Sequence, residues 1–275
     1  MSEIHRTRRM TAAARPCVLV FAGLDPSGGA GIAADLQAVA AQGAHALTVA
    51  TALTVQDNDR VYGVQPVDPG MLLRQAQALI DKMDIGAVKI GITGSAANAR
   101  AIAELITRLR ARQPELPVVL DPVLASGHGD LLSRDDAALA LAPLLPLTTV
   151  LTPNGPEAQA LSDATRPAAQ AQALRALGCR HVLITGGHDD GDDVVNRWFG
   201  PGAGTDASSP GQRDWHWSRL DGTFHGSGCT LASAIAGQLA TGLPTAVALE
   251  QAQHYVYVAL RDAYTVASGQ RIPLR

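Results

Sequence analysis

The sequence has no basic surplus, few cysteines and no long apolar run, and each absence removes a class of function. Charged residues make up 17% of the 275 positions and the formal net charge is -3, so there is no positive field to gather nucleic acid or an anionic membrane surface. A small-molecule substrate fits that balance better. Cys17, Cys179 and Cys229 are an odd and scattered set of three, without Cys-x-x-Cys or paired histidine spacing, which argues against a disulfide framework and a zinc site. A reducing cytoplasm is the expected compartment. No stretch is apolar for long enough to span a membrane, and the basic opening MSEIHRTRRMTAAAR lacks the apolar centre of a signal peptide. Residues 1–15 read as a loose leader, with Glu3 and the short length weighing against a transit peptide, and residues 16–275 read as one domain.

What is present is a regular alternation. Cys17 to Ala22 is a nearly continuous apolar run closed by Gly23, the pattern of a strand buried on both faces, and Ile32 to Gln42 then takes helical spacing up to Gly43. The same reading gives strands over Leu47 to Val55, Ala87 to Gly91, Val118 to Asp121, Thr149 to Thr152 and Val182 to Thr185. Helices are expected over Gly70 to Lys82, Ala96 to Arg112, Arg134 to Leu144, Glu157 to Asp163 and Pro167 to Leu177, with two long ones after residue 226. Such alternation implies an α/β fold with a central, mostly parallel sheet flanked by helices on both faces. One segment departs from it: Val194 to Phe199 and Trp215 to Leu220 read as a small edge hairpin around a loop rich in Gly, Pro, Ser and Asp, either a flap over a ligand or a solvated edge. Val247, Leu249, Tyr255, Val256, Val258 and Leu260, on a helix expected from Thr245 to Tyr264, read as core.

The chemistry concentrates in two glycine-rich loops, each of which precedes a helix. In FHGSGCTLAS, residues 224–233, Gly226 and Gly228 let the backbone turn and approach a ligand, and the unpaired amides and positive dipole end of the following helix suit a phosphate. Cys229 at that end is expected to ionise more readily than a core thiol and to serve as a general base. The competing reading is a turn that allows close helix packing, with Cys229 a small buried hydrophobe. The upstream loop, GLDPSGGAG, lacks the Gly-Lys-Ser/Thr ending of a Walker motif and the spacing of the dinucleotide fingerprint, and no Gly-x-Ser-x-Gly elbow occurs. Asp25, Gln56, Asp121, Asn154 to Glu157 and Gly186 to His188 all follow expected strands, where ligands of such sheets bind.

Taken in order, AGLDPSGGAGIAADLQA, TALTVQD, VKIGITGS, VVLDPVL, LTPNGPEA, ITGGH and HGSGCTLASA resemble the hydroxymethylpyrimidine/phosphomethylpyrimidine kinases of thiamine biosynthesis, within the ribokinase-like superfamily. That resemblance implies an ATP- and Mg²⁺-dependent kinase acting on a small pyrimidine, commonly as a homodimer. It implies a pyrimidine pocket from Gly23, Asp35, Gln56 and Val123, and ATP contacts from Asn154, Thr185 and Gly187. It further implies Mg²⁺ at Asp121 and Glu157, transition-state amides at Gly226, Ser227 and Gly228, and Cys229 as the base. The residue types agree with those roles, since an aminopyrimidine can be read by a carboxylate and an amide, and Mg²⁺ takes a few oxygens beside substrate phosphates. Asn154 with Glu157 also has the spacing of a helix capping box, and both roles can hold together. His225 receives no chemical role.

Two positions depart from the family pattern. Thr185 stands where relatives commonly carry Lys before Gly-Gly-His, and DPVLASGHGDLL lacks a lysine often found in that loop. The rival readings are a pyridoxal or pyridoxine kinase of the same superfamily and a pyrimidine-binding sensor without turnover; retention of Cys229, Asp121 and Glu157 speaks against the sensor.

Overall fold

The structure, a computed structural model, describes residues 14–124, 137–203 and 211–275. The leader, the start of the helix expected from Arg134, most of the segment DPVLASGHGDLL and the middle of the 200–214 loop lie outside these residues.

The strands are β1 (Cys17–Leu24), β2 (His45–Gln56), β3 (Val61–Pro66), β4 (Ile85–Ile90), β5 (Val118–Leu120), β6 (Val150–Leu151), β7 (His181–Ile184), β8 (Asp193–Phe199) and β9 (Gln212–Ser218). They form one nine-stranded sheet in the order β3-β2-β1-β4-β5-β6-β7-β8-β9. From β2 to β7 every pairing is parallel, while β3 and the β8–β9 hairpin add antiparallel strands at the two edges. β1 is central because its residues are apolar on both faces, and the two-residue period sends them to opposite sides. Leu19 and Phe21 enter one core with Val49, Val88, Ile90, Ile102, Ile106 and Leu120. Val18, Val20 and Ala22 enter the other with Val119, Ile235 and Leu249.

The helices are α1 (Gly31–Ala41), α2 (Pro69–Ile80), α3 (Ala96–Arg112), α4 (Ala137–Leu141), α5 (Gly155–Ser162), α6 (Pro167–Ala176), α7 (Ser227–Ala240) and α8 (Thr245–Arg261). α1, α7 and α8 pack together on one face, and α2 to α6 cover the other. α7 is buried from Thr230 to Leu239. Its small residues, Ala232, Ala234 and Ala236 among them, allow α1 and α8 to approach on both sides. The helix that opens on the anion loop is thereby the most enclosed one on its face.

Three local expectations change. β3 was not foreseen. It is a short edge strand with Tyr62 exposed, so it shows no strong apolar pattern, and its hairpin is set by Asp57, whose Oδ1 accepts from the Asp59 and Arg60 amides at 2.8 Å each. The helix expected to run to Leu144 ends at Leu141, followed by a 3-10 turn over Leu145–Leu147, because Pro143 removes a donor and disfavours helix at the residue before it. α8 stops at Arg261, and Tyr264 instead pairs antiparallel with Ile272. On α8 only Leu249 and Val256 of the residues read as core are buried, Tyr255, Val258 and Leu260 are half-buried, and Val247 is exposed.

Candidate active site

The C-terminal ends of the parallel strands open into a cavity of about 590 Å³, walled on its far side by the β8–β9 hairpin and at one end by the loop before α7. Gly23, Gln56, Asp121, Val123, Asn154, Glu157, Thr185, Gly187, Gly226, Ser227, Gly228 and Cys229 all line it. The hairpin therefore contributes a wall, through Val194, Asn196, Trp217 and Arg219, rather than standing apart as a solvated edge.

Asp35 is the exception among the expected site residues. It is buried with no exposed surface and does not itself line the cavity, its carboxylate held by Lys89 Nζ at 2.9 and 3.0 Å and by the Ser233 hydroxyl at 2.6 Å. These bonds tie α1 to β4 and α7, and among the described residues Oδ2 accepts from Lys89 alone. Lys89 is the group that reaches the cavity from this cluster. Burial alone would lower the Lys89 pKa, but the Asp35, Cys229 and Asp121 charges outweigh it and keep the ammonium firmly protonated.

Near Gly23 the wall is built for close approach, since a Cβ there would press into the Ile92 side chain, with Cγ1 at 3.0 Å. The Gln56 amide nitrogen donates to Thr54 Oγ1 at 2.7 Å, and Thr54 donates to the Leu24 carbonyl at 2.8 Å, which fixes the carboxamide at the rim. Val123 follows Asp121 in a tight turn, its amide donating to the Asp121 carbonyl at 2.9 Å.

The upstream loop is organised by Asp25. Its carboxylate accepts from the Ser27 amide at 2.8 Å, the Ser27 hydroxyl at 3.0 Å and the Ala30 amide at 2.7 Å, and it faces His225 Nε2 at 2.8 Å. Burial would raise the Asp25 pKa, but the His225 and Ser27 hydrogen bonds and the His225 charge bring it below the usual carboxylate value. His225 is thus a strut between the two glycine-rich loops. Next to it Gly226 sits at φ 81°, the left-handed region, and a Cβ there would strike the Gly29 carbonyl. α7 then begins, and its first intrahelical bond runs from the Thr230 amide to the Gly226 carbonyl at 3.0 Å. The amides of Ser227, Gly228 and Cys229 precede that bond and face the cavity end.

Asp121 is buried with Oδ2 lacking a hydrogen-bond partner among the described residues. Burial pushes its pKa up to about 6 against the opposing pull of Lys89. Glu157 forms a capping box with Asn154, both bonds at 2.9 Å, and burial with the Asp121 charge pushes it up to about 8. A carboxylate oxygen without a partner and a second acid whose pKa it raises, in one cavity, suit a hard divalent cation, with further oxygens left to a phosphate. Among the described residues no group of three or more His, Cys, Asp or Glu side chains could hold a metal by itself.

Cys229 corrects one expectation. The helix N-terminus does not yield a resting thiolate: removal from water pushes its pKa up to about 12, Lys89 opposes this, and the Asp121 and Asp35 carboxylates add to it.

The sequence reading did not single out Lys89, Arg219 or Arg275. A lone Lys inside the apolar run AVKI was a usable signal, because a buried ammonium needs a partner elsewhere in the fold. Arg219 gave none. It donates to the carbonyls of Gly187, Asp189, Gly191 and Asp193 at 3.1, 2.5, 2.6 and 3.5 Å and so holds the loop after β7 against the hairpin.

Comparison with known proteins bears on this arrangement. The family model of phosphomethylpyrimidine kinase matches residues 25–274. The chain belongs to the phosphomethylpyrimidine kinase family. It is 38% identical over 264 residues to the hydroxymethylpyrimidine/phosphomethylpyrimidine kinase of Streptomyces coelicolor, covering 92% of each chain. It is 37% identical over 259 residues to that of Rhizobium meliloti, with 92% and 93% covered. It also matches the thiamine biosynthesis bifunctional protein ThiED of Geobacter sulfurreducens at 38% identity, where 93% of this chain spans 51% of the longer protein. Among solved structures, phosphomethylpyrimidine kinase from Clostridium difficile superposes with a TM-score of 0.72 at 30% identity, covering 88% of this chain and 98% of that one. An ADP complex of Bacillus subtilis pyridoxal kinase superposes at 0.80 with 26% identity, covering 94% and 97%. Family membership makes the chain a phosphotransferase with the ribokinase-like fold, and the pyridoxal kinases stand further off in sequence.

The two raised acids carry a pH signature. Asp121 and Glu157 keep protons in the folded chain that they lose earlier in the unfolded one, so stability is expected to fall as pH rises from about 4 to about 8. Added Mg²⁺ should counter this by binding the ionised pair. In thermal melts its stabilisation should be larger near pH 8.5 than near pH 6, roughly the two sides of the raised titrations. Equal shifts at both pH values would remove these carboxylates as its ligands.

Proposed function

We propose that this chain transfers the γ-phosphoryl group of ATP to the hydroxymethyl oxygen of 4-amino-5-hydroxymethyl-2-methylpyrimidine, and then a second phosphoryl group to the monophosphate. The observation that carries this reading is the meeting of an N–H-lined helix terminus, two acids with raised pKa values and a thiol in one cavity. Gly23, Gln56 and Val123 bound the pyrimidine, with the fixed Gln56 carboxamide matched to ring nitrogen and amine, and the Asp35 carboxylate, shared with Lys89, is the remaining member of that pocket. Asn154, Thr185 and Gly187 meet the nucleotide, the last two on the loop that Arg219 holds.

Asp121 and Glu157 would hold Mg²⁺, which when bound neutralises phosphate charge. With the Asp121 charge compensated, one of the influences that oppose ionisation of the Cys229 thiol is removed, and Lys89 draws it toward ionisation against burial and Asp35. Cys229 then accepts the hydroxymethyl proton as the substrate oxygen attacks in line, and the Ser227, Gly228 and Cys229 amides stabilise the negative charge on the transferred group. A site that keeps a base and an acidic pair has features a pure pyrimidine sensor would not need. We further propose a homodimer, on the support of Leu53, Val55 and Tyr62, which are 50, 65 and 68% exposed on adjoining strands β2 and β3.

With ATP and Mg²⁺, the chain is expected to phosphorylate hydroxymethylpyrimidine and its monophosphate and to leave pyridoxal largely untouched, with products resolved by mass. Preferential turnover of pyridoxal would move the assignment to the rival kinase, and binding without turnover to the sensor. Cys229→Ala should lower kcat by at least about a hundredfold, in the range of a lost general base, with substrate binding retained. Undiminished turnover would shift the base to Asp121. Sedimentation at micromolar concentration should give twice the chain mass, and Tyr62→Glu should give the monomer; a wild-type monomer would discard the dimer.

A further inference from the structure

Arg275 is a buried cation that the transfer chemistry described above does not use. Its Nε donates to Thr230 Oγ1 at 2.8 Å, and its Nη2 donates to the Gly29 carbonyl at 2.5 Å and to the Gly226 carbonyl at 3.4 Å. Nη1 is buried with no partner among the described residues. The segment that delivers it is laced between α8 and the anion loop. Tyr264 and Ile272 exchange backbone bonds at 3.0 and 2.9 Å, the Arg271 amide donates to the Thr223 carbonyl and the His225 amide to the Arg271 carbonyl at 2.9 Å each, and the Leu274 amide donates to the Ala259 carbonyl at 2.9 Å.

The two carbonyls that Arg275 grips are the backs of two functional peptide units. In a trans peptide the C=O and the following N–H point in opposite directions. Holding the Gly226 carbonyl therefore aims the Ser227 N–H, the first free amide of α7, away from the guanidinium. Holding the Gly29 carbonyl aims the Ala30 N–H, which donates to Asp25 at 2.7 Å. The Gly226 carbonyl also accepts from the Thr230 hydroxyl at 2.7 Å and the Thr230 amide at 3.0 Å, so Thr230 carries the same constraint into the helix. Glycine at 226 leaves this peptide free to rotate unless something fixes it.

We propose that Arg275 is a positioning residue for phosphoryl transfer: it locks the Gly29 and Gly226 peptide units against each other, so that the amides at the start of α7 are aimed at the transferred group before substrate arrives. The proposal rests on the kinase reading. A fixed cation also sits behind those amides and adds to their positive potential.

The test uses the full chain and two variants. Arg275→Ala is expected to lower kcat by roughly ten- to a hundredfold, the scale of a misaimed catalytic group, while KM for the pyrimidine moves by less than about threefold. Millimolar guanidinium should restore part of that kcat. Arg275→Lys, which keeps the charge but not the planar reach to three acceptors, should fall between the two. A kcat for Arg275→Ala within about twofold of wild type overturns the proposal, as does a loss that guanidinium leaves unchanged and that follows a lowered melting temperature. If the wild-type chain phosphorylates no pyrimidine, the kinase reading falls separately, and hydrogen exchange at the Ser227 amide decides the tether. Faster exchange in Arg275→Ala upholds the tether and unchanged exchange ends it.

Discussion

The ion pair between Lys89 and Asp35, with no solvent on either side chain, is the interaction the rest of this structure leans on. It joins β4 to α1, and through Ser233 to α7, so the strand that supplies the floor of the cavity and the helix that supplies its anion site are fixed to one point. Breaking such a pair from one side strands a buried charge at a cost of about 3–5 kcal/mol, so its partners are tightly constrained. The excess positive charge of Lys89 is not confined to Asp35. It is also felt by Asp121 and Cys229. A group buried in an ion pair therefore sets the electrostatic baseline of the site.

That baseline explains why the resting site is strained in charge. Two carboxylates and a thiol share a cavity in which burial opposes every negative form, and Lys89 is the common counterweight to Asp121 and Cys229. Proteins tolerate such crowding where a ligand of opposite sign completes the balance. Burial favours the neutral forms of Glu157 and Cys229, and the capping box holds Glu157 in place.

Most of the fold was legible because parallel strands buried on both faces leave apolar runs that cannot be mistaken, as in CVLVFA, and because α3 was bounded by its Ser95 cap and its last arginine. The order of the chemistry along the chain was legible for the same reason, since each polar residue followed a strand. What escaped was whatever depends on a single long-range partner. β3 carries no periodic pattern because one edge suffices for it. The pairing of Asp35 with Lys89, 54 positions away, has no local signal in either segment. Arg219 and Arg275 act on backbone carbonyls, which have no sequence identity to match. Cys229 was correctly placed at a helix start, but a dipole is felt over one turn while burial acts on the whole group, and burial won.

The bond from Arg275 to the Gly29 carbonyl spans 246 positions. At ribosomal speeds of about 5–20 residues per second, the upstream loop is made roughly 12 to 50 s before the guanidinium that closes it. Through that interval β1 and β2 can pair and bury their faces, while the Gly29 carbonyl has only water to meet it. A nascent chain can thus be well folded over its first strands and still have no assembled anion site. Translation itself thereby separates the moment at which the first strands fold from the moment at which this tether can close.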